Sequence, residues 1–162
     1  MYEEKHIRSL YEQAFGQAIT FAQEGLKAEH AMVTYSGNGR LLNLKSEGIW
    51  TSEPVSLSVL KSLIEEGQPR LLVDLAEPDR FDRTSVLIAG IISILFVPIR
   101  SRSDEICGFY YMDSRVKNQG TFQEKDLKQA EAVVAGTLEP LFRETGVSRP
   151  MTWDLLMNTY WL

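Results

Sequence analysis

The stretch CGFYYMDSR, residues 107–115, decides the fold of this chain. Its first residues are uncharged and mostly apolar at odd and even positions alike, as expected of a central β-strand that is covered on both faces. The run ends in Asp113, Ser114 and Arg115. We interpret these three as the exit of the strand, with Asp113 and Ser114 hydrogen-bonded to the turn and Arg115 either in solvent or in a salt bridge.

The residues before this strand predict helices and strands in an order typical of an antiparallel α+β fold. Apolar residues at three- and four-residue steps indicate a first helix, and turn residues separate the shorter apolar runs that follow. The predicted elements are a helix at 2–26, hairpin strands at 30–36 and 41–50, a helix at 56–66 ended by Gly67, a strand at 70–73, a short helix at 85–89 and a strand at 91–99. Because proline donates no hydrogen bond, Pro98 should make the last of these strands bulge or end early.

The residues after the strand predict a closing helix. Thr121 and Glu124 match a capping box, in which each side chain satisfies a free backbone amide at the helix start. The helix should extend to about Arg143. Pro140 lies inside the pattern, so we expect a kink or an end near Glu139.

Composition excludes several classes of function. The chain has 162 residues, of which 44% are hydrophobic and 24% charged, and this predicts one globular domain. A net charge of −5 without clustered Lys or Arg argues against nucleic acid. No apolar run approaches the roughly 20 residues needed to cross a membrane, and no signal sequence is evident. We therefore expect a cytoplasmic protein that inserts into no membrane. The sequence itself requires no cofactor, and whether one binds stays unknown.

Segments along the chain resemble the GAF domain family. Residues 55–75 (VSLSVLKSLIEEGQPRLLVDL) resemble its serine-containing helix, glycine and short strand. Residues 89–99 (AGIISILFVPI) resemble the segment in which Gly and Ser precede a strand ending in Val-Pro-hydrophobic. Residues 107–115 resemble the strand Gly-x-hydrophobic-Tyr-hydrophobic-Asp, and residues 121–127 (TFQEKDL) resemble the Phe-x-x-x-Asp start of the closing helix. The order and spacing of these segments carry the resemblance, which covers most of residues 1–142.

The resemblance implies an α+β, GAF-like fold: a central six-stranded antiparallel sheet with helices on both sides and the N- and C-terminal helices packed together. It divides the chain into a single domain at 1–144, with an N-terminal helix at 2–26 and a core at 28–142, and an apolar tail at 145–162 that could form a short helix. The Asp-Ser-Arg ending is also similar to GAF domains beside forkhead-associated modules or transcription-activator ATPases.

Because GAF domains generally sense or relay signals, the resemblance also implies a function. It implies a non-catalytic sensory or regulatory module of bacterial signalling, which binds a small ligand and relays through a helical dimer interface to a protein partner. The loop at 74–85 offers donors that suit an anionic or carbonyl ligand, although the alternative is a polar loop over a filled core. The predicted ligand-binding residues are Trp50, Asp74, Arg83, Thr84, Ser93, Phe96, Tyr111 and Asp113.

A second apolar seam on the first helix and the aromatic tail predict an interface. The seam keeps four-three spacing, which suits pairing with another helix. The tail SRPMTWDLLMNTYWL, residues 148–162, is too apolar to remain in water, so it folds back on the sheet, binds a partner or precedes a further region. The predicted interface residues are Ile7, Tyr11, Ala14, Ala18, Phe21, Trp153 and Trp161. The alternative function is therefore a structural interaction domain that binds no small ligand.

Catalysis has little support in the sequence. The histidines, His6 and His30, lie far from Asp113 in sequence, and nothing indicates a Ser-His-Asp arrangement or a metal site. Free methionine sulfoxide reductases share the GAF fold but resemble GAF enzymes with several cysteines. The single cysteine, Cys107, cannot both attack and resolve, and we expect it to be buried and inert.

Cyclic-nucleotide binding is also doubtful on sequence grounds. Relatives that bind cyclic nucleotides show Asn-Lys, then Phe, then Asp-Glu. In this chain Asn118 is followed by Gln119, and Asp126 is followed by Leu127. The signature is therefore incomplete.

Overall fold

A computed structural model of the chain describes residues 4–37, 40–45, 57–73, 91–115, 121–145 and 151. Within these ranges no helix is long and apolar enough to cross a membrane. The described elements are α1 (Glu4–Thr20) with a π-helical turn (Phe21–Gly25), β1 (His30–Gly37), β2 (Arg40–Lys45), α2 (Leu57–Glu66), β3 (Arg70–Leu72), β4 (Ile91–Arg100), β5 (Ile106–Arg115), α3 (Glu124–Val133) with a second π-helical turn (Val134–Leu138), and α4 (Glu139–Thr145).

The strands form one antiparallel sheet with β5 at its centre. The strand order is β2-β1-β5-β4-β3, and β5 pairs with β1 on one side and β4 on the other. The apolar stretch that begins at Cys107 is thus the central strand, as predicted. The resemblance implies six strands, whereas the described ranges supply five. Residues 46–50 of the predicted second hairpin strand, and the predicted short helix at 85–89, lie outside those ranges.

Strand β5 extends further than the sequence indicates. Asp113, Ser114 and Arg115 all pair with β4, so their interpretation as a strand exit is wrong. Strand β4 likewise continues through Pro98 to Arg100, with a register shift between Ile99 and Arg100. The bulge predicted from the proline is therefore present beside it. Because β3 pairs only with the residues from Ile94 to Phe96, Pro98 lies beyond the part of β4 that is paired on both sides.

The N- and C-terminal helices cover one face of the sheet, here called the helix face. The ring of Phe142 stacks on Tyr35 of β1 with centroids 4.0 Å apart, and it lies 5.5 Å from the ring of Tyr11 on α1. Burial of these aromatic rings dominates the packing energy of such a core. The predicted packing of the terminal helices is confirmed. The strand residues of this core are Ala31, Val33, Tyr35, Leu95, Val97, Ile99, Cys107, Tyr110 and Met112.

The alternate strand positions point to the opposite face, here called the α2 face. Their apolar side chains are fully buried and do not belong to the core of the helix face. The buried side chains of α2 also lie outside that core, so we place α2 over this second face. The apolar residues concerned are Met32, Ile94, Phe96, Phe109 and Tyr111 on the strands and Val59, Leu60, Leu63 and Ile64 on α2.

The ends of the helices differ in how well local sequence predicts them. Gly67 ends α2 as expected: its φ is 68° and its N–H donates to the carbonyl of Leu63 at 3.0 Å. The capping box of α3, in contrast, is two residues later than predicted. The N-cap is Gln123, whose N–H donates to Asp126 Oδ2 at 2.7 Å. The tertiary cause is Phe122, whose N–H donates to Ser93 Oγ at 3.1 Å and fixes where the helix begins.

Pro140 lies in the first turn of α4 and does not end the closing helix. The π-helical turn Val134–Leu138 directly precedes it, and the N–H of Glu139 donates to the carbonyl of Val134. A wider turn before a proline relieves the clash of its ring with the preceding turn. The helix therefore continues to Thr145, and the predicted kink or end takes the form of a π-helical turn.

Candidate functional site

A polar cluster lies buried in the sheet where β5 ends and β1 begins. Asp113 Oδ1 lies 3.3 Å from His30 Nδ1, and Asp113 Oδ2 accepts a hydrogen bond from the Tyr111 hydroxyl at 2.8 Å. Asp113 and Tyr111 are fully buried, and His30 is 7% exposed. We call these three residues the Asp113 cluster. A buried carboxylate is tolerated only when hydrogen bonds and an adjacent cation or donor replace its lost hydration, and this cluster supplies them.

Strand pairing brings the Asp113 cluster together. The β1–β5 register sets His30 directly opposite Asp113. Tyr111 precedes Asp113 by two residues, so both side chains project from the same face of β5. The same alternation places the cluster on the α2 face, because Tyr110 and Met112 belong to the helix face.

Aromatic side chains form the floor beside the Asp113 cluster. Phe96 of β4 is the cross-strand partner of Tyr111, and its ring stacks on Phe109 with centroids 5.5 Å apart. Both rings are fully buried. Farther along β1 on the same face, the hydroxyl of Ser36 is buried and has no hydrogen-bond partner among the described residues. The α2 face thus combines buried aromatic rings with polar groups at separate points.

Three of the predicted ligand-binding residues lie together on one face of the sheet, and a fourth lies on the opposite face. Phe96, Tyr111 and Asp113 lie together on the α2 face, as described above. Ser93 lies on the helix face, where its hydroxyl is 2.5 Å from that of Ser114 and accepts the N–H of Phe122. The remaining predicted residues, Trp50, Asp74, Arg83 and Thr84, lie outside the described ranges.

His30 is the residue of the cluster that the sequence does not connect with Asp113. It contacts Asp113 across 83 positions of sequence, so only the pairing of β1 with β5 reveals the contact. The contact gives an Asp–His pair, but it does not complete a hydrolytic triad. Ser114 and Ser93 project from the opposite face, and among the described residues no group of His, Cys, Asp and Glu could hold a metal ion.

Much of the predicted partner seam on α1 is packed inside the chain. Tyr11, Ala14 and Ala18 are buried in the core of the helix face, so they cannot also form a subunit interface. Phe21 is partly exposed. Ile7 is described only by its backbone, and Trp153 and Trp161 lie outside the described ranges. The outward side of α1 instead carries an open groove lined by Gly16, Gln17, Thr20, Phe21, Glu24 and Gly25.

Cys107 is buried on the helix face, as predicted. Its thiol donates to the carbonyl of Ile99 at 3.4 Å. Burial raises the pKa of the thiol from 9.0 to about 12. Because the thiolate is the reactive form, this environment disfavours thiol chemistry at neutral pH.

The described part of the tail returns to the sheet. The N–H of Met151 donates to the carbonyl of Ile106 at the start of β5 at 2.7 Å. Met151 is 7% exposed. The tail therefore begins in contact with its own domain.

Comparison with solved structures identifies similar folds at low sequence identity. The GAF domain/HD domain protein from Geobacter sulfurreducens is 15% identical, with a TM-score of 0.62 over 84% of this chain and 95% of that one. Type II free methionine-R-sulfoxide reductase from Thermoplasma acidophilum is 17% identical, with a TM-score of 0.61 over 88% and 99%. The GAF domain of a two-component sensor histidine kinase from Bacillus halodurans is 18% identical, with a TM-score of 0.57 over 83% and 95%. No protein-family model and no curated protein matches the sequence.

Proposed function

Because the chain has the GAF fold, we propose that it is a non-catalytic sensory or regulatory module of a signalling protein. Its small ligand binds on the α2 face beside the Asp113 cluster. The module works as a homodimer in a bacterial cytoplasm and passes its signal to a protein partner. The GAF domain of a sensor histidine kinase among the similar structures supports a signalling role.

The observation that carries this proposal is the Asp113 cluster itself. The surrounding floor is apolar, and a core of packed apolar residues would serve stability better than a buried carboxylate. Asp113 is nevertheless fully buried and bonded to Tyr111. Polar groups held in an apolar pocket wall orient a ligand and select it. The stacked rings of Phe96 and Phe109 suit a ligand with a flat or apolar body, and the cluster suits a polar group at its edge.

The cluster is also attached to the link between α1 and β1. The carbonyl of Asp113 accepts the N–H of Glu29 at 3.0 Å, and its carboxylate contacts His30, the next residue. A ligand that binds one position of Asp113 more tightly than another would therefore shift the end of α1. Helix α1 lies on the opposite face of the sheet, where its outward side is available to a second subunit.

Two alternatives have weaker support. One similar structure is a free methionine sulfoxide reductase, but the single cysteine of this chain is on the helix face with a raised pKa, away from the Asp113 cluster. An interaction domain without ligand would use the tail, yet Met151 is already bonded to Ile106 of its own sheet.

Native mass spectrometry of the purified protein, repeated after denaturation, tests the proposal. We expect a dimer that carries extra mass, and denaturation should release that mass as a small molecule. Tyr111→Phe should bind less of it, because Tyr111 loses its hydroxyl but keeps its ring. The matched control is Tyr35→Phe, which removes a buried hydroxyl on the helix face. Equal amounts of bound small molecule in the two variants would contradict the assignment of the ligand to the Asp113 cluster.

A further inference from the structure

Helix α1 ends in a π-helical turn, Phe21–Gly25, rather than in regular α-helix. The N–H of Leu26 donates to the carbonyl of Phe21 at 3.2 Å, five residues back instead of four. The N–H of Ala28 then donates to the carbonyl of Ala22 at 2.9 Å. A π-helical turn contains one more residue than an α-helical turn and has poorer hydrogen-bond geometry, so it persists where outside contacts hold it.

Strand β5 holds this turn from both ends. Before the turn, the buried hydroxyl of Tyr110 donates to the carbonyl of Ala18 at 2.5 Å. After the turn, the carbonyl of Asp113 accepts the N–H of Glu29. Tyr110 and Asp113 are rigidly spaced on one strand, so they fix the distance that the chain between Ala18 and Glu29 must span.

Residues within and after the turn are tightly constrained. Lys27 has a φ of 61°, a left-handed conformation that is unfavourable for a residue with a side chain. A Cβ on Gly25 would lie 3.0 Å from the ring of Phe21, so the turn folds tightly on itself. Phe21 and Gly25 also line the open groove on the outward side of α1.

We propose that the turn Phe21–Gly25 is a register switch and that the hydrogen bond from Tyr110 to Ala18 holds it in the π-helical register. When this bond breaks, the turn relaxes to α-helix, with the N–H of Leu26 donating to the carbonyl of Ala22. Helix α1 keeps its buried face against the sheet, so the residue that the turn releases lengthens the link to β1. Because Phe21 and Gly25 line the groove on the outward side of α1, the change in the turn reshapes that groove.

The switch would supply an output step for the proposed sensory function, since Tyr110 is adjacent to Tyr111 of the Asp113 cluster. It stands on the helix geometry alone, however, and its test needs no ligand. A negative result for the switch would not contradict ligand binding. The absence of a bound ligand would likewise not contradict the switch.

The test is to identify the acceptor of the Leu26 N–H by NMR, through scalar couplings across the hydrogen bond, in Tyr110→Phe. We expect the coupling to the carbonyl carbon of Phe21 to be lost or weakened and a coupling to that of Ala22 to appear. Tyr35→Phe, which removes a buried hydroxyl distant from the turn, should keep the coupling to Phe21. An unchanged acceptor in Tyr110→Phe would overturn the proposal.

A second variant covers the case in which Tyr110→Phe does not fold. Deletion of the exposed Glu24 removes the extra residue of the turn, so the carbonyl of Phe21 then lies four residues before Leu26 and becomes its α-helical acceptor. The proposal predicts a folded chain with an α-helical turn in which Leu26 is bonded to Phe21. Unfolding of this deletion variant as well would overturn the proposal, because the chain would then need the extra residue to reach β1.

Discussion

Gly108 shows how closely the two main chains of β1 and β5 approach each other. It pairs with Tyr35, and a Cβ at this position would collide with the main-chain oxygen of Thr34 and lie 3.2 Å from the Cα of Tyr35. Main-chain atoms inside a sheet cannot move aside as a side chain can. The glycine is therefore required by the approach of two strands rather than by an unusual φ.

We expect Gly108→Ala to lower the free energy of unfolding by roughly 2–3 kcal/mol, the upper range for overpacked core positions. Urea denaturation measures the change. Gly16→Ala is the matched control, since a Cβ there meets no atom within 4 Å and the helix should gain about 0.5–1 kcal/mol. Equal effects of the two substitutions would argue against the close approach of β1 and β5.

Cys107 makes stability depend on alkaline pH. Its folded pKa, about 12, exceeds the ordinary value of 9.0 because burial disfavours the thiolate. The unfolded chain therefore ionises first, so the stabilisation is complete below pH 9 and is lost as pH rises toward 12.

At pH 10 we expect the protein to lose about 1.4 kcal/mol relative to pH 8 through Cys107 alone. Burial also raises the pKa of Tyr110, but that group begins to contribute only above its ordinary value of 10.0. Urea titrations at pH 8 and pH 10 of the protein and of Cys107→Ala isolate the cysteine. The same pH dependence in both proteins would show that the thiol ionises as readily in the folded state.

Two residues of the candidate site illustrate what sequence can and cannot predict. Ser93 and Phe96 are three positions apart on one strand, so simple alternation already places them on opposite faces. This separation therefore follows from the sequence alone. The contact of His30 with Asp113 depends instead on the register of two strands from distant parts of the sequence, which no local pattern encodes.

At the scale of elements, hydrophobic pattern predicts helices and strands better than it predicts their ends. The predicted bounds of α2, 56–66, lie within one residue of the observed helix, because its apolar face and Gly67 are local signals. The start of α3 was misplaced because Ser93, on another strand, binds the N–H of Phe122. The π-helical turns were missed for the same reason: outside contacts hold them, and periodicity alone predicts α-helix.

The position of the α3 cap can be tested by comparing Asp126, which bonds the observed N-cap, with Thr121, the N-cap predicted from sequence. Asp126→Ala removes the acceptor of the Gln123 N–H and should cost about 1 kcal/mol of unfolding free energy. Thr121 is exposed and precedes the observed cap, so Thr121→Ala should change stability by less than about 0.5 kcal/mol. Thermal or urea denaturation distinguishes them, and a reversed order would restore the capping box predicted from sequence.

At the scale of the whole molecule, β5 connects two cores that have different roles. Its side chains alternate between the helix face, where Tyr110 bonds α1, and the α2 face, where Tyr111 bonds Asp113. A central strand buried on both sides cannot shift on one face without moving groups on the other. This arrangement gives the proposed ligand site a physical connection to the helix that would meet a second subunit.

Assembly depends on which side of α1 remains available. Because Tyr11, Ala14 and Ala18 are buried within the chain, a dimer that pairs through α1 must use its outward side, where Gln17 and Thr20 are exposed. We expect the double substitution Gln17→Arg and Thr20→Arg to convert the proposed dimer to monomer, as like charges would face each other across the interface. Light scattering after size-exclusion chromatography measures the mass.

The control for this substitution is Gln68→Arg, which adds a positive charge at an exposed position directly after α2. It should leave the dimer intact. Deletion of residues 148–162 distinguishes the two candidate functions. If the chain is a sensory module, the dimer should survive the deletion. If it is an interaction domain, the dimer should dissociate. A dimer that resists the α1 substitutions but dissociates without the tail would show that the tail, not α1, forms the interface. The proposed relay through α1 would then have no second subunit to act upon.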